Sequence, residues 1–219
     1  MDGVIVDSEI WWDEVRAAFA AARGKTWTTD DQAAVMGANS PGWARIMRER
    51  LELGLSEAAI ERAIVDGVAE RYRREGAPLI DGAIGAIRRI AATLPVAIAS
   101  SSHPEVIDEA LAATGLGDVF RVVVSSDEVA HGKPAPDVYL EAARRLGIAP
   151  DACLVVEDSY NGVRAGVAAG MFVVLVPNRS VPPAPGTSDM ADLVLDRLAD
   201  LDPGRIDPTG RRPSASDPG

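Results

Sequence analysis

Two short apolar runs in the second half of this chain each end abruptly in polar residues. Residues 96–99 (Val-Ala-Ile-Ala) are followed by three serines, and residues 154–156 (Leu-Val-Val) by Glu-Asp-Ser. A buried parallel strand is apolar on both faces, so polar residues appear where the strand ends. In an open α/β sheet, the carboxyl ends of the strands form the edge at which ligands bind. The pattern therefore predicts a parallel sheet that gathers polar side chains at one edge.

The order of elements after residue 80 supports the same fold class. Predicted strands alternate with predicted helices, which is typical of an α/β protein with a doubly wound parallel sheet. The strands are expected at residues 95–100, 119–125, 153–157, 171–176 and 193–195.

Residues 10–78 contain no strand pattern. Apolar residues at helical spacing and capping residues predict helices at about 10–23, from 28, at 43–53 and from 56. The first helix has a predicted apolar face formed by Trp11, Val15, Ala18, Phe19 and Ala22. We therefore expect a small helical domain inserted after the first strand.

These patterns give the predicted domain organisation. The α/β core comprises residues 1–9 and 79–201, and the inserted helical domain comprises residues 10–78. Residues 202–219 are rich in Pro, Gly, Ser, Asp and Arg and lack periodic apolar positions. That composition predicts a disordered tail.

Charge and composition exclude several functions. The net charge of −11 argues against nucleic acid or an anionic membrane as a partner, because a phosphate backbone needs a basic surface. No apolar run is long enough to cross a bilayer, and no signal-peptide pattern is present. The single cysteine, Cys153, cannot form an internal disulfide. A cytoplasmic location is the default expectation, and the sequence does not predict an oligomeric state.

The polar residues at the sheet edge suit a phosphate and a divalent cation. Glu157 and Asp158 form an acid pair after a very apolar strand, and such a pair can bind a metal or, as the alternative, cap the following helix. Lys133 lies between Gly132 and Pro134, where a rigid backbone could direct its ammonium towards a phosphate. The alternative for Lys133 is an ordinary solvated lysine.

These segments, in this order, resemble the haloacid dehalogenase superfamily, and most closely its β-phosphoglucomutase-like branch. The first motif of the family, Asp-x-Asp-Gly-(Val/Thr)-(Leu/Ile)-x-Asp-Ser, matches residues 1–8 from its second position onwards. Asp2 takes the place of the second Asp, and the family's nucleophilic Asp would stand one residue before Met1. We therefore expect the natural protein to begin several residues upstream.

The resemblance implies roles for particular residues. Ser100 and the backbone N–H of Ser101 would bind the transferring phosphoryl group, together with Lys133. Asp2 would serve as the acid/base residue. The implied Mg²⁺ ligands are the backbone carbonyl of Asp2, the carboxylate of Asp158, and Glu157 directly or through water. Asn39, in the loop of residues 37–42, joins the predicted substrate-binding set.

Three functions remain open at this point. The first is a Mg²⁺-dependent phosphatase that acts on a small phosphorylated metabolite, such as a sugar phosphate, through an aspartyl-phosphate. The second is a sugar-phosphate mutase, although the cap-loop Arg of such mutases has no clear counterpart near Ser40, and Arg45 is an uncertain substitute. The third is an inactive module that binds phosphate without turnover.

Other polar residues are given structural roles. Ser102 is expected only to cap the following helix, and His103 and His131 are expected to be solvated. Trp43 adjoins the loop of residues 37–42 and could face a substrate, although packing within the helical domain is the favoured role.

Overall fold

The computed structural model describes residues 1–36 and 38–206 of the chain. Its first four helices form the layer predicted from residues 10–78. They are α1 (Glu9–Ala21), α2 (Thr29–Val35), α3 (Ser40–Arg50) and α4 (Glu57–Glu75). Helices α1 and α3 both pack on α4. The predicted apolar stripe of α4 is buried, and consists of Ile60, Ile64, Val68 and Tyr72.

Local capping explains where these helices begin. The Thr28 side chain accepts a hydrogen bond from the backbone N–H of Asp31, and the Asp31 carboxylate accepts one in return from the Thr28 N–H. Asn39 caps α3 through a hydrogen bond from the Gly42 N–H to its side-chain oxygen. Helix α3 therefore begins three residues before the position that we predicted, Trp43.

The predicted apolar face of α1 is partly wrong. Trp11 and Phe19 are buried as expected, but Ala18 and Ala22 are exposed. The buried set also includes Trp12, Arg16 and Ala20. The face is turned because α1 contacts α4 on one side and borders a cleft on the other.

The α/β part follows from residue 79 onwards. Its strands are β1 (Ala97–Ser100), β2 (Val122–Ser125), β3 (Leu154–Glu157), β4 (Phe172–Leu175) and β5 (Leu193–Val194). Its helices are α5 (Ala83–Ala91), α6 (Pro104–Thr114), α7 (Asp137–Leu146), α8 (Tyr160–Ala168) and α9 (Thr187–Met190). The strand pairs are all parallel, which confirms the predicted α/β class with a helical insertion.

The strands form two separate groups, β1–β2 and β3–β4–β5. Within the described chain, no strand lies between β1 and β3. An apolar cavity of about 340 Å³ occupies this region and is lined by both strands and by Met1, Val4 and Ile5.

Residues 4–6 form a turn and a bridge instead of a strand. Gly3 adopts a φ of +72°, and the Ile5 N–H donates to the Met1 carbonyl over 2.8 Å. The chain therefore folds back on itself, and Val6 forms only isolated bridges, with Asp2 and with Leu79. This turn brings Asp2 to the same edge as the carboxyl ends of β1 and β3.

The last residues differ in part from the prediction of a tail. Residues 203–205 form a 3-10 turn, and the Asp202 side chain accepts a hydrogen bond from the Gly204 N–H. The rest of the predicted tail, residues 207–219, lies outside the described residues. Among the helices that the structure describes, not one combines the length and the apolar character needed to traverse a bilayer.

Candidate active site

Glu157, the last residue of β3, is held by contacts to several residues. Its Oε1 accepts hydrogen bonds from Lys133 Nζ at 2.5 Å and from the Tyr139 hydroxyl. Its Oε2 accepts one from Ser159 Oγ at 3.0 Å. Burial opposes its ionisation, but Lys133 and Tyr139 outweigh that effect and hold the pKa of Glu157 well below its usual range. Glu157 is therefore an ionised partner that positions Lys133.

Lys133 is correspondingly fixed at the sheet edge. Its side chain is 8% exposed, and its ammonium also donates to the carbonyl oxygen of Ala99 in β1 over 3.2 Å. The ammonium lies 4.8 Å from the centre of the Tyr139 ring. Lys133 thus connects the ends of β1 and β3, and its ammonium is a point charge of the kind that binds phosphate.

Asp158 differs sharply from its neighbour Glu157. No described residue donates a hydrogen bond to its carboxylate, and burial, followed by the negative charge of Glu157, raises its pKa. The carboxylate lies against Gly3, where a Cβ atom would come within 1.8 Å of Asp158 Oδ2. A glycine is therefore needed at position 3 for the Asp158 carboxylate to lie so close to the turn that contains Asp2.

Asp2 is oriented by two hydroxyl groups. Its Oδ1 accepts a hydrogen bond from Ser8 Oγ, and its Oδ2 accepts one from Ser102 Oγ at 2.7 Å. We predicted that Ser102 caps α6, and this was wrong. His103 is the N-cap, and its Nδ1 accepts a hydrogen bond from the Glu105 N–H. Ser102 instead holds a carboxylate of the candidate site.

The predicted site residues share one cleft of about 460 Å³ between the helical layer and the sheet edge, with one exception. Those that line it are Asp2, Ser100, Ser101, Lys133, Glu157 and Asp158. Ser100 is 3% exposed, and its Oγ accepts the Ser102 N–H at 3.2 Å. Asn39 does not line the cleft, since its side chain caps α3 and its Cβ faces Gly132.

The opposite wall of the cleft comes from the helical layer. It includes Glu9, Trp12, Arg16, Val35 and Trp43. The Trp12 and Trp43 rings meet edge to face with their centres 6.2 Å apart. Burial and the nearby charge of Asp2 raise the pKa of Glu9 to about 7. This wall is aromatic and carries one glutamate and one arginine.

A comparison with protein-family models shows the family of this chain. The model of the haloacid dehalogenase-like hydrolases matches residues 1–170. The chain belongs to this family of hydrolases.

The comparisons with known proteins agree with that assignment. The chain is 36% identical to the probable pseudouridine-5'-phosphatase of Drosophila melanogaster, over 93% of this chain and 89% of that protein. It is 30% identical to the bifunctional riboflavin kinase/FMN phosphatase of Arabidopsis thaliana over 92% of its length, but spans only 52% of that protein. The crystal structure of CbbY from Rhodobacter sphaeroides in complex with phosphate has a TM-score of 0.79 at 24% identity, covering 92% of this chain and 93% of that one, which shows the shared fold.

Residues that our sequence analysis missed as site residues come from distant segments. Tyr139 lies on α7 and Arg16 on α1, and no spacing in the sequence links either one to β3. The strand-end position of Ser102 was a usable signal, because Ser100 at the same strand end was recognised. Arg16 gave no signal, since an arginine on a helix is normally solvated.

A second group of ligand-type residues lies between the helical layer and α6. Atoms of Glu61, His103 and Asp127 lie within 4.8 Å of one another. His103 was expected to be solvated, but its Nδ1 accepts the Glu105 N–H, so the proton of a neutral ring is on Nε2, facing Glu61 at 3.9 Å. A protonated nitrogen cannot bind a metal, and 3.9 Å is too long for a hydrogen bond, so the group fits a polar contact between the helical layer and α6 better than a metal site.

The residues of the cleft do fit a hard divalent cation. Asp158 is half-buried, no residue among 1–36 and 38–206 donates a hydrogen bond to its carboxylate, and Asp2 lies in the same cleft. A carboxylate that is partly removed from water is costly to ionise, and a bound cation would offset that cost. Oxygen ligands of this type are those that Mg²⁺ prefers.

Proposed function

We propose that this chain is a Mg²⁺-dependent phosphatase of small phosphorylated metabolites, such as sugar phosphates. The observation that carries the proposal is the convergence of Lys133, Ser100, Asp2 and Asp158 on one cleft at the carboxyl edge of the sheet. The names of the relatives support a phosphorylated substrate. We keep the cytoplasmic location and the exclusion of nucleic acid as predictions.

The residues of the cleft divide the reaction between them. Lys133 and Ser100 would bind the phosphoryl oxygens, since a buried ammonium and a hydroxyl suit an anion. Ser101 would donate its backbone N–H from the turn before α6. Asp2, held by Ser8 and Ser102, would protonate the leaving oxygen and then remove a proton from the attacking water.

Asp158 and the backbone carbonyl of Asp2 would hold the Mg²⁺ ion. Bound there, the cation would supply positive charge that allows an anionic phosphoryl group to approach carboxylates. Glu157 is the weaker candidate ligand, because both of its oxygens already accept hydrogen bonds. In the family pattern, the nucleophile of the aspartyl-phosphate mechanism is the Asp two positions before Asp2.

The experiment is phosphate release measured on this chain and on a version extended upstream by a strand that ends in Asp. Sugar phosphates, phosphoglycolate and an aryl phosphate serve as substrates, with Mg²⁺ or with EDTA. We expect Mg²⁺-dependent release from a protein that carries the nucleophile. Isomerisation without net release would indicate the mutase, and inactivity of both versions would indicate the binding module.

A further inference from the structure

Arg16 is a buried arginine that forms no ion pair with any acidic residue in the described part of the chain. It is 5% exposed and its guanidinium lies over the rings of Trp12, at 5.1 Å, and Trp43, at 5.5 Å. Among the described residues its only hydrogen bond joins Nη1 to the side-chain oxygen of Gln32 at 3.1 Å. Its Nε is buried and has no partner in that part of the chain.

Such an arrangement is unfavourable in the empty protein. A guanidinium carries five N–H donors and keeps its charge, so burying it without a carboxylate or phosphate costs free energy. No ion pair forms with a described carboxylate, and Glu9 and Asp13 attract it only from a longer distance. Burial lowers the pKa of Arg16 to about 10, in agreement with this incomplete pairing.

Arg16 also lines the cleft opposite the proposed phosphoryl site. The guanidinium contacts both indole rings, an arrangement that favours an arginine over a lysine at this position. Arg45, the arginine that the sequence offered as a substitute for the cap-loop Arg of mutases, is exposed and does not line the cleft.

We propose that Arg16 determines specificity by binding a second anionic group, a carboxylate or a second phosphate, on the leaving-group side of the substrate. This inference rests on the proposed function for the phosphoryl end. Glu9 lines the same wall and would oppose an anion when ionised, but its raised pKa leaves it less charged near neutral pH than an ordinary glutamate. The substrate class is then a metabolite with an anion at each end.

Calorimetric binding to the full chain in Mg²⁺ tests the inference without turnover. Two matched pairs serve as ligands: phosphoglycolate against 2-hydroxyethyl phosphate, and fructose 1,6-bisphosphate against fructose 1-phosphate. The first pair reports a carboxylate and the second a distal phosphate. We expect the ligand that carries the second anionic group to bind roughly 10-fold more tightly than its partner in at least one pair, as a charge-assisted contact predicts.

Variants then assign the preference to Arg16. Arg16→Met should abolish the preference while the affinity for inorganic phosphate stays within about 2-fold, and Arg16→Lys should keep part of it. Arg23→Met is the matched control, because Arg23 also lies over an aromatic ring, that of Phe19, but not at the cleft.

Two results would overturn the inference: no preference in the native chain, or an equal loss of all ligands in Arg16→Met with its fold intact by circular dichroism. If Arg16→Met does not fold, the native preference and Arg16→Lys decide. A preference without hydrolysis by the extended version that carries the nucleophile would contradict the proposed function alone, and hydrolysis without the preference would contradict this inference alone. Absence of any binding would contradict both.

Discussion

The two walls of the cleft are built on opposite principles. On the core wall, Lys133, Glu157 and Tyr139 satisfy one another, so each polar group has its geometry set before any ligand arrives. On the wall from the helical layer, Arg16 lies between two indole rings with one neutral hydrogen-bond partner among the described residues. The difference agrees with the roles we propose, the reaction for the core wall and the selection of a substrate for the opposite wall.

The largest effect should come from breaking the core wall at Lys133. In the extended version that carries the nucleophile, Lys133→Met removes the cation proposed to bind the phosphoryl group, so phosphate release should fall by about 10²–10³-fold or more. It also leaves Glu157 buried without its partner, at a cost of roughly 3–5 kcal/mol in the free energy of unfolding. Urea titration and steady-state kinetics measure the two effects.

Lys25→Met is the matched control, because Lys25 is the other lysine of the chain and its ammonium forms an ion pair with Glu52 at 3.9 Å on the surface. Its unfolding free energy should change by less than about 0.5 kcal/mol. Equal effects of the two substitutions would contradict the distinction between a site lysine and a surface lysine.

A second test asks whether Mg²⁺ binding depends on the close contact between Asp158 and Gly3. Gly3→Ala would put a Cβ within 1.8 Å of Asp158 Oδ2 and displace that carboxylate, so the affinity for Mg²⁺ should fall by about 10-fold or more. The positive φ of Gly3 would also lower the free energy of unfolding of this variant. Gly24 has a similar φ of +67°, but a Cβ added there would have no atom within 4 Å. Gly24→Ala therefore measures the backbone cost alone, about 1–2 kcal/mol in the free energy of unfolding. If the two variants bind Mg²⁺ equally, the close approach has no functional meaning.

Glu9 provides a pH-dependent test of the wall from the helical layer. Its pKa is raised from 4.5 to about 7, so the folded protein favours the protonated form and the free energy of unfolding should fall as the pH rises from about 4.5 through 7. Glu9→Gln lacks this titration and should be more stable than the native chain by roughly 1–3 kcal/mol at pH 8. The difference should vanish near pH 4, and a difference that is constant with pH would contradict the assignment.

The smallest effect concerns Ser102. In the extended version that carries the nucleophile, Ser102→Ala removes one of the two hydroxyls that hold Asp2, so turnover should fall by about 5–10-fold, as expected for one hydrogen bond. Ser101→Ala should leave turnover nearly unchanged, because only the backbone of Ser101 has a proposed role. An equal response in both variants would show that Asp2 needs no orientation by Ser102.

Sequence reasoning reached the local features and missed the long-range ones. The alternation of strands and helices and the acid pair after β3 were visible because they depend on neighbouring residues. The contacts of Ser102 with Asp2 and of Tyr139 with Glu157 join residues far apart in the chain, so no local pattern encodes them. The start of α3 was missed because the Asn39 cap lies within a stretch of turn-forming residues.

The most direct test of the central claim is the binding of inorganic phosphate, measured by calorimetry with and without Mg²⁺. If Asp158 holds the cation and Lys133 faces the phosphate in one cleft, phosphate should bind in Mg²⁺. Its affinity should drop by at least about 10-fold in EDTA or in Asp158→Asn. Phosphate affinity that is the same under all three conditions would contradict the account.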